Sequence, residues 1–393
     1  MQIGNLPRSH GAVVAIPATN EAARIAECLA ALSMQRDKAG APVAPGSFEI
    51  LVFANDCTDH TGAIVRQLSQ QMCHPIILIE EKLPIGQSNA GWARKRAMDL
   101  AAIRLAEIAP VHGVILTTDA DSCVGPAWFS ETMRELNLGV DCVAGYIDAV
   151  PVELLALGSV FRARGRLEDS YLCQLAEINA RCDPRIHDPW PNHRVSSGAS
   201  LAVTLAAYAS IGGLPPRPVG EDSALTEKLE RAGFRIRHSM DVCVSTSCRF
   251  DGRAEGGAAD TMRLRHAVPD SPCDDDLEPA LQATRRAIYK GTARNLWAHR
   301  PDARRWPGHF ANSNDIRKIL DDRSASFEDA WQVISDTCPA LKRNTRLLPS
   351  DLPRQIAIAK MVLQVLRLPP RQGHNAPADT SRRELLCETV PAN

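Results

Sequence analysis

The sequence predicts an α/β fold, a Rossmann-like, mostly parallel sheet flanked by helices, followed by a helical C-terminal extension. Three observations predict it. Short apolar runs alternate with amphipathic segments over residues 12–149. Such alternation is the pattern of a parallel sheet covered on both faces. Polar residues cluster right after the runs, as Thr19-Asn20-Glu21, Asn55-Asp56 and Asp119-Asp121. That is the carboxyl edge of an open α/β sheet, where ligands bind. From residue 151 the rhythm breaks and long helical patterns take over.

The elements follow in order. AVVAIP (12–17) reads as a strand, and 21–32 as a helix with Ile25, Cys28, Leu29 and Leu32 on one face. FEILVFAN (48–55) is a strand, 61–72 a helix and PIILIE (75–80) a third strand. A long helix over 89–108 leads to the strand GVILTTD (113–119). The next helix, 126–138, carries Pro126 in its first turn, where a missing N–H costs nothing. CVAGYIDA (142–149) is the fifth strand.

Residues 153–182 look helical, and HDPWPNHRVSSGAS (187–200) is a Pro-rich loop. Residues 200–211 read as mixed, 222–232 as a helix, and FRIRHSMDVCVSTS as strand. Helices follow over 277–299, 315–322, 327–337 and 353–368. The expected division is a catalytic domain over 1–258, a helical extension over 259–370 and a disordered, Pro-rich tail over 371–393. No internal repeat is visible.

Bulk properties exclude several classes. The net charge is -1, which argues against a surface built for nucleic acid or anionic membrane. The 12 cysteines form no CxxC pair, and Cys28, Cys142 and Cys243 sit inside apolar runs as small hydrophobes. A reducing, cytoplasmic compartment is expected. MQIGNLPRSHGAVVAIP lacks the long apolar core of a signal peptide. No window reaches the ~18 apolar residues of a membrane span; IAIAKMVLQVLRL is too short and carries Lys360. It reads better as a packed amphipathic helix than as a surface anchor.

Asp119-Ala-Asp121 puts two carboxylates one residue apart at a strand end. Both can lean toward one ligand, and Mg²⁺ typically takes one or two carboxylates plus substrate phosphates. The plain alternative is a solvated turn. An EF-hand is a poor fit, since Val124 stands where its Gly belongs and Cys123 where an oxygen ligand belongs. In IPATNEAARI, Asn20 is expected to cap the next helix, which Glu21 and Ala22 start well. In FANDCTDHTG, Asp56 suits a base imide N–H, while Thr58 and Asp59 suit capping. Gly91, Arg94, Lys95 and Arg96 lie at a helix start that favours phosphate, or else form a solvated basic face. Glu221 and Asp222 open another helix, as a general base or as an acidic first turn.

Taken together, IPATNEAARI, ILVFANDCTDHT, GWARKRAMD, ILTTDADS, SGASLAV, YASIGGLPP and GEDSAL resemble the family 2 glycosyltransferases over residues 11–257. The resemblance is nearest to bacterial soluble members with a DGRAEGG-like motif, here 251–257. It implies the A-type nucleotide-sugar transferase fold and a metal-dependent, inverting transfer of one sugar to an acceptor hydroxyl. Pro17, Asn20 and Glu21 would line the nucleotide pocket, Asp56 would contact the base, and Arg94 would sit near the nucleotide-sugar. Asp119 and Asp121 would hold Mg²⁺ or Mn²⁺ against the diphosphate, with Asp119 also touching the donor. Gly198 and Ala199 would flank acceptor and sugar, and Asp222 with Glu221 would deprotonate the acceptor.

The sequence departs from the pattern in one place. Many such transferases carry a further metal-ligating His after the helix of the Glu-Asp pair; CVSTSCRF has none. Arg249 or Arg253 would then supply charge to the diphosphate, or metal binding would be weaker. The QxxRW motif and membrane spans of polysaccharide synthases are absent, so a single transfer is expected. HDPWPNH (187–193) would shape the acceptor site or pack as a loop. A homodimer is left open. Competing readings are a retaining transferase resembling glucosyl-phosphoglycerate synthases, a sugar-phosphate nucleotidyltransferase, and a non-catalytic binding module. IPATNEAARI lacks the Gly-rich basic loop of nucleotidyltransferases, and the intact aspartates argue against a binding module.

Overall fold

In the computed structural model the chain is described over residues 11–252, 256–299, 316, 318–320, 322, 326–343 and 346–368. The tail over 371–393, and residues 315, 317 and 321 of the helix expected at 315–322, lie outside these residues. The chain divides into two units, 1–156 with 194–263 and 157–193 with 264–393.

The first unit is built on a sheet of eight strands: β1 (Ala12–Ala18), β2 (Glu49–Asn55), β3 (Ile76–Glu81), β4 (Val114–Thr117), β5 (Ser122–Val124), β6 (Cys142–Ala149), β7 (Leu201–Thr204) and β8 (Ile236–Thr246). Their order is β3-β2-β1-β4-β7-β6-β8-β5. β3, β2, β1 and β4 run parallel, as does β6 with β8. β7 is antiparallel to both β4 and β6, and β5 to β8. The sheet is therefore mixed, with helices around it and an A-type glycosyltransferase-like layout. β1 lies between β2 and β4, so the chain order reverses there and opens a crevice at the carboxyl ends.

Alternation in the strands explains why both faces are covered. Val14, Ile16, Ile50, Val52, Val114 and Leu116 point to a core shared with α1 (Ile25–Ser33) and α4 (Trp128–Asn137). Val13, Ala15, Leu51, Phe53 and Ile115 point the other way, to α3 (Ala90–Ile108). Side chains two apart share a face, so a doubly buried strand must be apolar throughout. α2 (Thr61–Ser69) follows β2, and α5 (Pro151–Ala156) follows β6. The short helix α7 (Leu205–Ser210) and α8 (Glu221–Arg231) add Tyr208, Leu225 and Leu229 to the second core.

The second unit contains α6 (Gly158–Cys182), α10 (Ala280–His299), α11 (Phe327–Thr337) and α12 (Leu352–Arg367). α9 (Ala258–Ala267) begins in the first unit. Tyr171, Leu175 and Ile178 of α6 pack with Ala283 and Ala287 of α10 and with Ala359, Val362 and Leu363 of α12. So IAIAKMVLQVLRL is a packed helix, as its one-sided apolar stripe implies. Ser326 and Asp329 form a capping box at the start of α11. No helix of the described residues is long and apolar enough to cross a membrane.

Two local expectations fail at helix starts. α4 begins at Trp128 with Ala127 as its N-cap, so Pro126 lies ahead of the first turn. The helix after β1 begins at Ile25, not at residue 21, and Asn20 does not cap it. Asn20 sits in the left-handed region at φ 51. Its Oδ1 accepts from the N–H groups of Thr58 at 2.7 Å and Asp59 at 3.2 Å. Asn20 therefore fastens the β1 loop to the β2 loop. Asp59 in turn accepts from Thr61 N at 3.0 Å, in a local side-chain turn just ahead of α2, and from Ala22 N at 3.0 Å.

Candidate active site

The carboxyl ends of β1, β2 and β4, the turn before α8 and the start of α9 surround a cavity of about 320 Å³ in the first unit. Pro17, Glu21, Arg94, Asp119, Asp121 and Gly198 line it, as do Glu221, Asp222 and Arg249. Asn20, Asp56 and Ala199 do not line it; Ala199 is buried in the core. Arg253 lies outside the described residues.

Asp119 and Asp121 occupy the turn between β4 and β5, so neither is locked into a strand. Ser122 N donates to Asp119 O at 3.1 Å and closes the turn. Cys28 Sγ of α1 also lies against that carbonyl, at 3.4 Å.

Arg94 organises the floor. It is buried, and its guanidinium makes four hydrogen bonds inside the protein. Nε donates to Glu221 Oε1 at 3.0 Å and Nη2 to Asp119 Oδ1 at 2.6 Å. Nη1 donates to Thr117 Oγ1 at 3.2 Å and to the Gly198 carbonyl at 2.8 Å. Burial works against its charge, but Asp119 and Glu221 outweigh that and raise its pKa. Sequence reasoning put Arg94 beside the donor; the fold makes it the strut that sets two acids. Its neighbours are ordinary surface pairs, Lys95 with Asp99 at 2.9 Å and Arg96 with Glu81 at 3.0 Å.

Two glycines make room for this arrangement. A Cβ on Gly91 would lie 1.9 Å from the Arg217 carbonyl oxygen, so the loop before α8 rests directly on the start of α3. Asn89 caps α3 by accepting from Trp92 N at 3.2 Å. Gly198 leaves the space that the Arg94 guanidinium fills.

Arg249 is a second strut. Its two Nη groups donate to Glu21 at 2.8 and 2.6 Å, and Nη2 lies 3.0 Å from Asp121 Oδ2. It stands where sequence reasoning missed a histidine. Glu153 holds the segment before it, accepting from Ser247 Oγ at 2.9 Å and Cys248 N at 2.7 Å. Burial, with Asp119 beside it, raises the Asp121 carboxyl to about 6, against the opposing pull of Arg249. Glu221 is raised by burial, with Arg94 opposing.

The Glu221-Asp222 pair is divided by the first turn of α8. Glu221 turns inward to Arg94 and is buried. Asp222 stays half-buried at the cavity wall. Its Oδ2 accepts from Gly198 N at 2.9 Å and its Oδ1 from Ser223 N at 2.8 Å. These bonds aim the carboxylate. Gly220, at φ 75, provides the left-handed entry to the helix.

Acids outnumber bases in the lining: Glu21, Asp119, Asp121, Glu221 and Asp222 against Arg94 and Arg249. Among the described residues no group of three or more His, Cys, Asp and Glu side chains is assembled to cage a metal ion. Ser88, Asn89, Ser197, Thr246 and Ser247 also line the cavity and were not picked out in advance. Ser88 donates to Asp56 Oδ2 at 2.6 Å, which sets Asp56 on the rim at φ 50. The left-handed residues Asn20 and Asp56 thus both sit in the loops just after β1 and β2.

Residues 13–180 match the family model for glycosyl transferase family 2. That region carries β1 to β6 and the Asp119-Asp121 turn, and makes this a glycosyltransferase-type catalytic domain. The match stops short of Gly198, Asp222 and Arg249. No curated protein matches the chain. Solved structures similar to it include the mannosyltransferase PcManGT of Pyrobaculum calidifontis in complex with GDP-Man and Mn²⁺. Identity is 16%, over 96% of this chain and 79% of that one, with a TM-score of 0.45. TarS of S. aureus, residues 1–349 with UDP-GlcNAc, is 16% identical over 91% of both chains, TM-score 0.44. Glucosyl-3-phosphoglycerate synthase of Mycobacterium tuberculosis is 17% identical over 67% of this chain and 80% of that one, TM-score 0.36.

Proposed function

We propose that the chain moves one sugar from a nucleotide-diphosphate sugar to an acceptor hydroxyl, with inversion and with help from a divalent ion. One observation carries the reading. A single cavity at the switch point of the sheet brings together the Asp119-Asp121 turn and an aimed, half-buried Asp222.

Asp222 is the base in this reading, and Glu221 is not. Glu221 is committed to Arg94, whereas Asp222 faces the cavity. A carboxylate held by two backbone N–H groups keeps one orientation toward an acceptor hydroxyl, which removes the entropy of finding it. The hydroxyl oxygen attacks the anomeric carbon, its proton passes to Asp222, and the nucleoside diphosphate leaves from the opposite face. Pro17, Thr19 and Asn55, which line the cavity, would take the nucleotide end in this reading.

The lining's excess of carboxylate suits a diphosphate only if a cation accompanies it. Asp119 and Asp121 are the residues that would hold Mg²⁺ or Mn²⁺, with phosphate oxygens and water completing the shell. That fits a hard cation bound by two carboxylates better than a caged metal. Bound there, the ion would neutralise charge on the leaving diphosphate. Gly198 and Asp222 would lie toward the sugar and acceptor, and Arg249 toward the diphosphate. A cytoplasmic location and a single catalytic domain continuing into helices belong to the same reading.

Thermal shifts with UDP, GDP and their sugar conjugates, with and without Mn²⁺, test it. Metal-dependent stabilisation by one nucleotide, absent in Asp121→Ala, is the expected result. NMR of the product gives the anomeric outcome. A retained configuration would remove Asp222 from the role of base, and the absence of any nucleotide shift would remove the donor site.

A further inference from the structure

Arg249 holds two acids of the cavity, and an acid outside the cavity holds the segment that carries Arg249. That acid is Glu153, which is not among the lining residues. It stands in the first turn of α5, just after β6. Its carboxylate joins two segments that are far apart in sequence. Oε1 accepts from Arg24 Nη1 at 2.6 Å. Oε2 accepts from Ser247 Oγ at 2.9 Å and from Cys248 N at 2.7 Å. Burial opposes the charge of Glu153, but the hydrogen bonds from Arg24, Cys248 N and Ser247 outweigh it and lower its pKa. The group is therefore ionised at neutral pH, and a charged acceptor makes the stronger bond.

The two joined segments are those of Glu21 and Arg249. Arg24 N donates to the Glu21 carbonyl at 2.9 Å, so Arg24 belongs to the turn that presents Glu21. On the other side Arg249 N donates to Ser247 Oγ at 3.2 Å, the same hydroxyl that Glu153 accepts from. Thr246 is the last paired residue of β8, opposite Ala149 of β6 and Ser122 of β5. Residues 247–249 therefore lie beyond the sheet, beside the Asp121 that precedes Ser122. Sheet pairing does not fix them, and Glu153 does. An ordinary surface pair would end at Arg24 and would matter little. Here the second oxygen continues to the segment that ends in Arg249.

We propose that Glu153 is a positioning residue for donor binding: it staples the Glu21 turn to the segment after β8, and so holds the Arg249 guanidinium on Glu21 and Asp121. The proposal rests on the glycosyl-transfer reading, which puts Arg249 toward the diphosphate. Without the staple, the guanidinium is ordered only when the donor arrives, and that ordering entropy is taken from the binding free energy. Glu153 lies outside the lining and acts through Arg249.

Side-chain NMR of the arginines reads the staple in the ligand-free protein. A guanidinium held through both Nη groups, as Arg249 is on Glu21, gives separate Nη signals; a loose one gives averaged signals. The Arg249 signals are assigned by their loss in Arg249→Gln. Glu153→Leu, close to glutamate in size but without an acceptor, should average them. Glu153→Gln keeps an acceptor for Ser247 and Cys248 and should keep them separate. Glu153→Ala takes the place of the leucine variant if that one does not fold. With the donor that the thermal shifts select, Glu153→Leu should raise the donor KM about tenfold and leave the acceptor KM within about twofold. In the Arg249→Gln background it should add less than about twofold, because the two residues act as one unit. Four results overturn the proposal: averaged Arg249 signals in the wild type, separate ones in Glu153→Leu, a glutamine variant no better than leucine, or a leucine effect undiminished in the Arg249→Gln background. If the NMR signals behave as expected but no nucleotide-sugar is bound or turned over, the glycosyl-transfer reading fails instead.

Discussion

The guanidinium of Arg94 occupies the space in which a side chain at position 198 would begin: a Cβ on Gly198 would lie 2.2 Å from Arg94 Cζ. Even alanine at 198 must displace the arginine, because both groups are buried. Arg94 then loses its grip on Asp119 and Glu221. Gly198→Ala is expected to lower kcat/KM by about 100-fold, or ~2.7 kcal/mol of transition-state stabilisation. Steady-state kinetics check this; activity within about threefold of wild type would mean the strut is not needed.

Arg94→Leu tests the same strut from the other side. It leaves Glu221, 6% exposed, without its partner. Breaking a buried ion pair by removing one member costs about 3–5 kcal/mol. Denaturant unfolding should show that loss. Arg94→Lys should recover little, because one ammonium cannot serve four acceptors spread along a planar fork.

Asp121 gives a prediction of opposite sign. Its folded carboxyl is raised from 3.8 to about 6 by burial and by Asp119. A raised acid favours the native state fully below its unfolded value, and that contribution is lost as pH rises through 6. At neutral pH the ionised group therefore strains the ligand-free fold. Asp121→Asn should stabilise the ligand-free protein by about 1–2 kcal/mol near pH 8, less near pH 5. It should also remove metal-dependent nucleotide binding. Calorimetry at the two pH values measures the first effect; equal gains at both would contradict the assignment.

Arg249 and a metal ion would compete for Asp121. Arg249→Gln should tighten Mn²⁺ binding to the nucleotide-free protein by about three- to tenfold, since an opposing cation is removed. Electron paramagnetic resonance titration of free Mn²⁺ reads this out. Weaker Mn²⁺ binding in the variant would show that Arg249 supports the ion's site.

In the helical unit, Glu328 faces Lys290 at 2.7 Å, Arg294 at 3.1 Å and Arg185 at 3.4 Å. Burial would raise its pKa, but the three cations outweigh that and lower it from 4.5 to about 2. A lowered acid stabilises the fold above its unfolded value, near 4.5, and loses that contribution as pH falls toward 2. Glu328→Gln should cost about 2–3 kcal/mol at pH 7. The gap between variant and wild type should narrow steadily below about pH 4.5 in urea titrations. A gap that is constant with pH would mean the glutamate acts by packing alone.

The sheet was legible from local pattern because burial on both faces forces strands such as Val13–Ile16 to be apolar at every position, and helices such as α1 to be apolar on one. Asp119, Asp121 and Asp222 stood out because acids directly after apolar strands or at helix starts are rarely needed for packing. The sequence by itself therefore determined the α/β class and the carboxyl edge at which these acids gather. Tertiary structure alone decided how those acids are used. Arg94, Asp119, Glu221 and Gly198 meet from four separate segments, and no local pattern encodes a hydrogen bond between residues 127 positions apart. The same holds for Arg249, which reaches across 228 positions to Glu21. It holds too for Asn20, drawn from its own helix by Thr58 and Asp59. Strand direction was likewise a long-range outcome, since β7 pairs antiparallel with β4 and β6, both distant from it in sequence. Local propensity sets which elements form; the directional bonds between distant side chains set which acid is buried and which one faces the cavity.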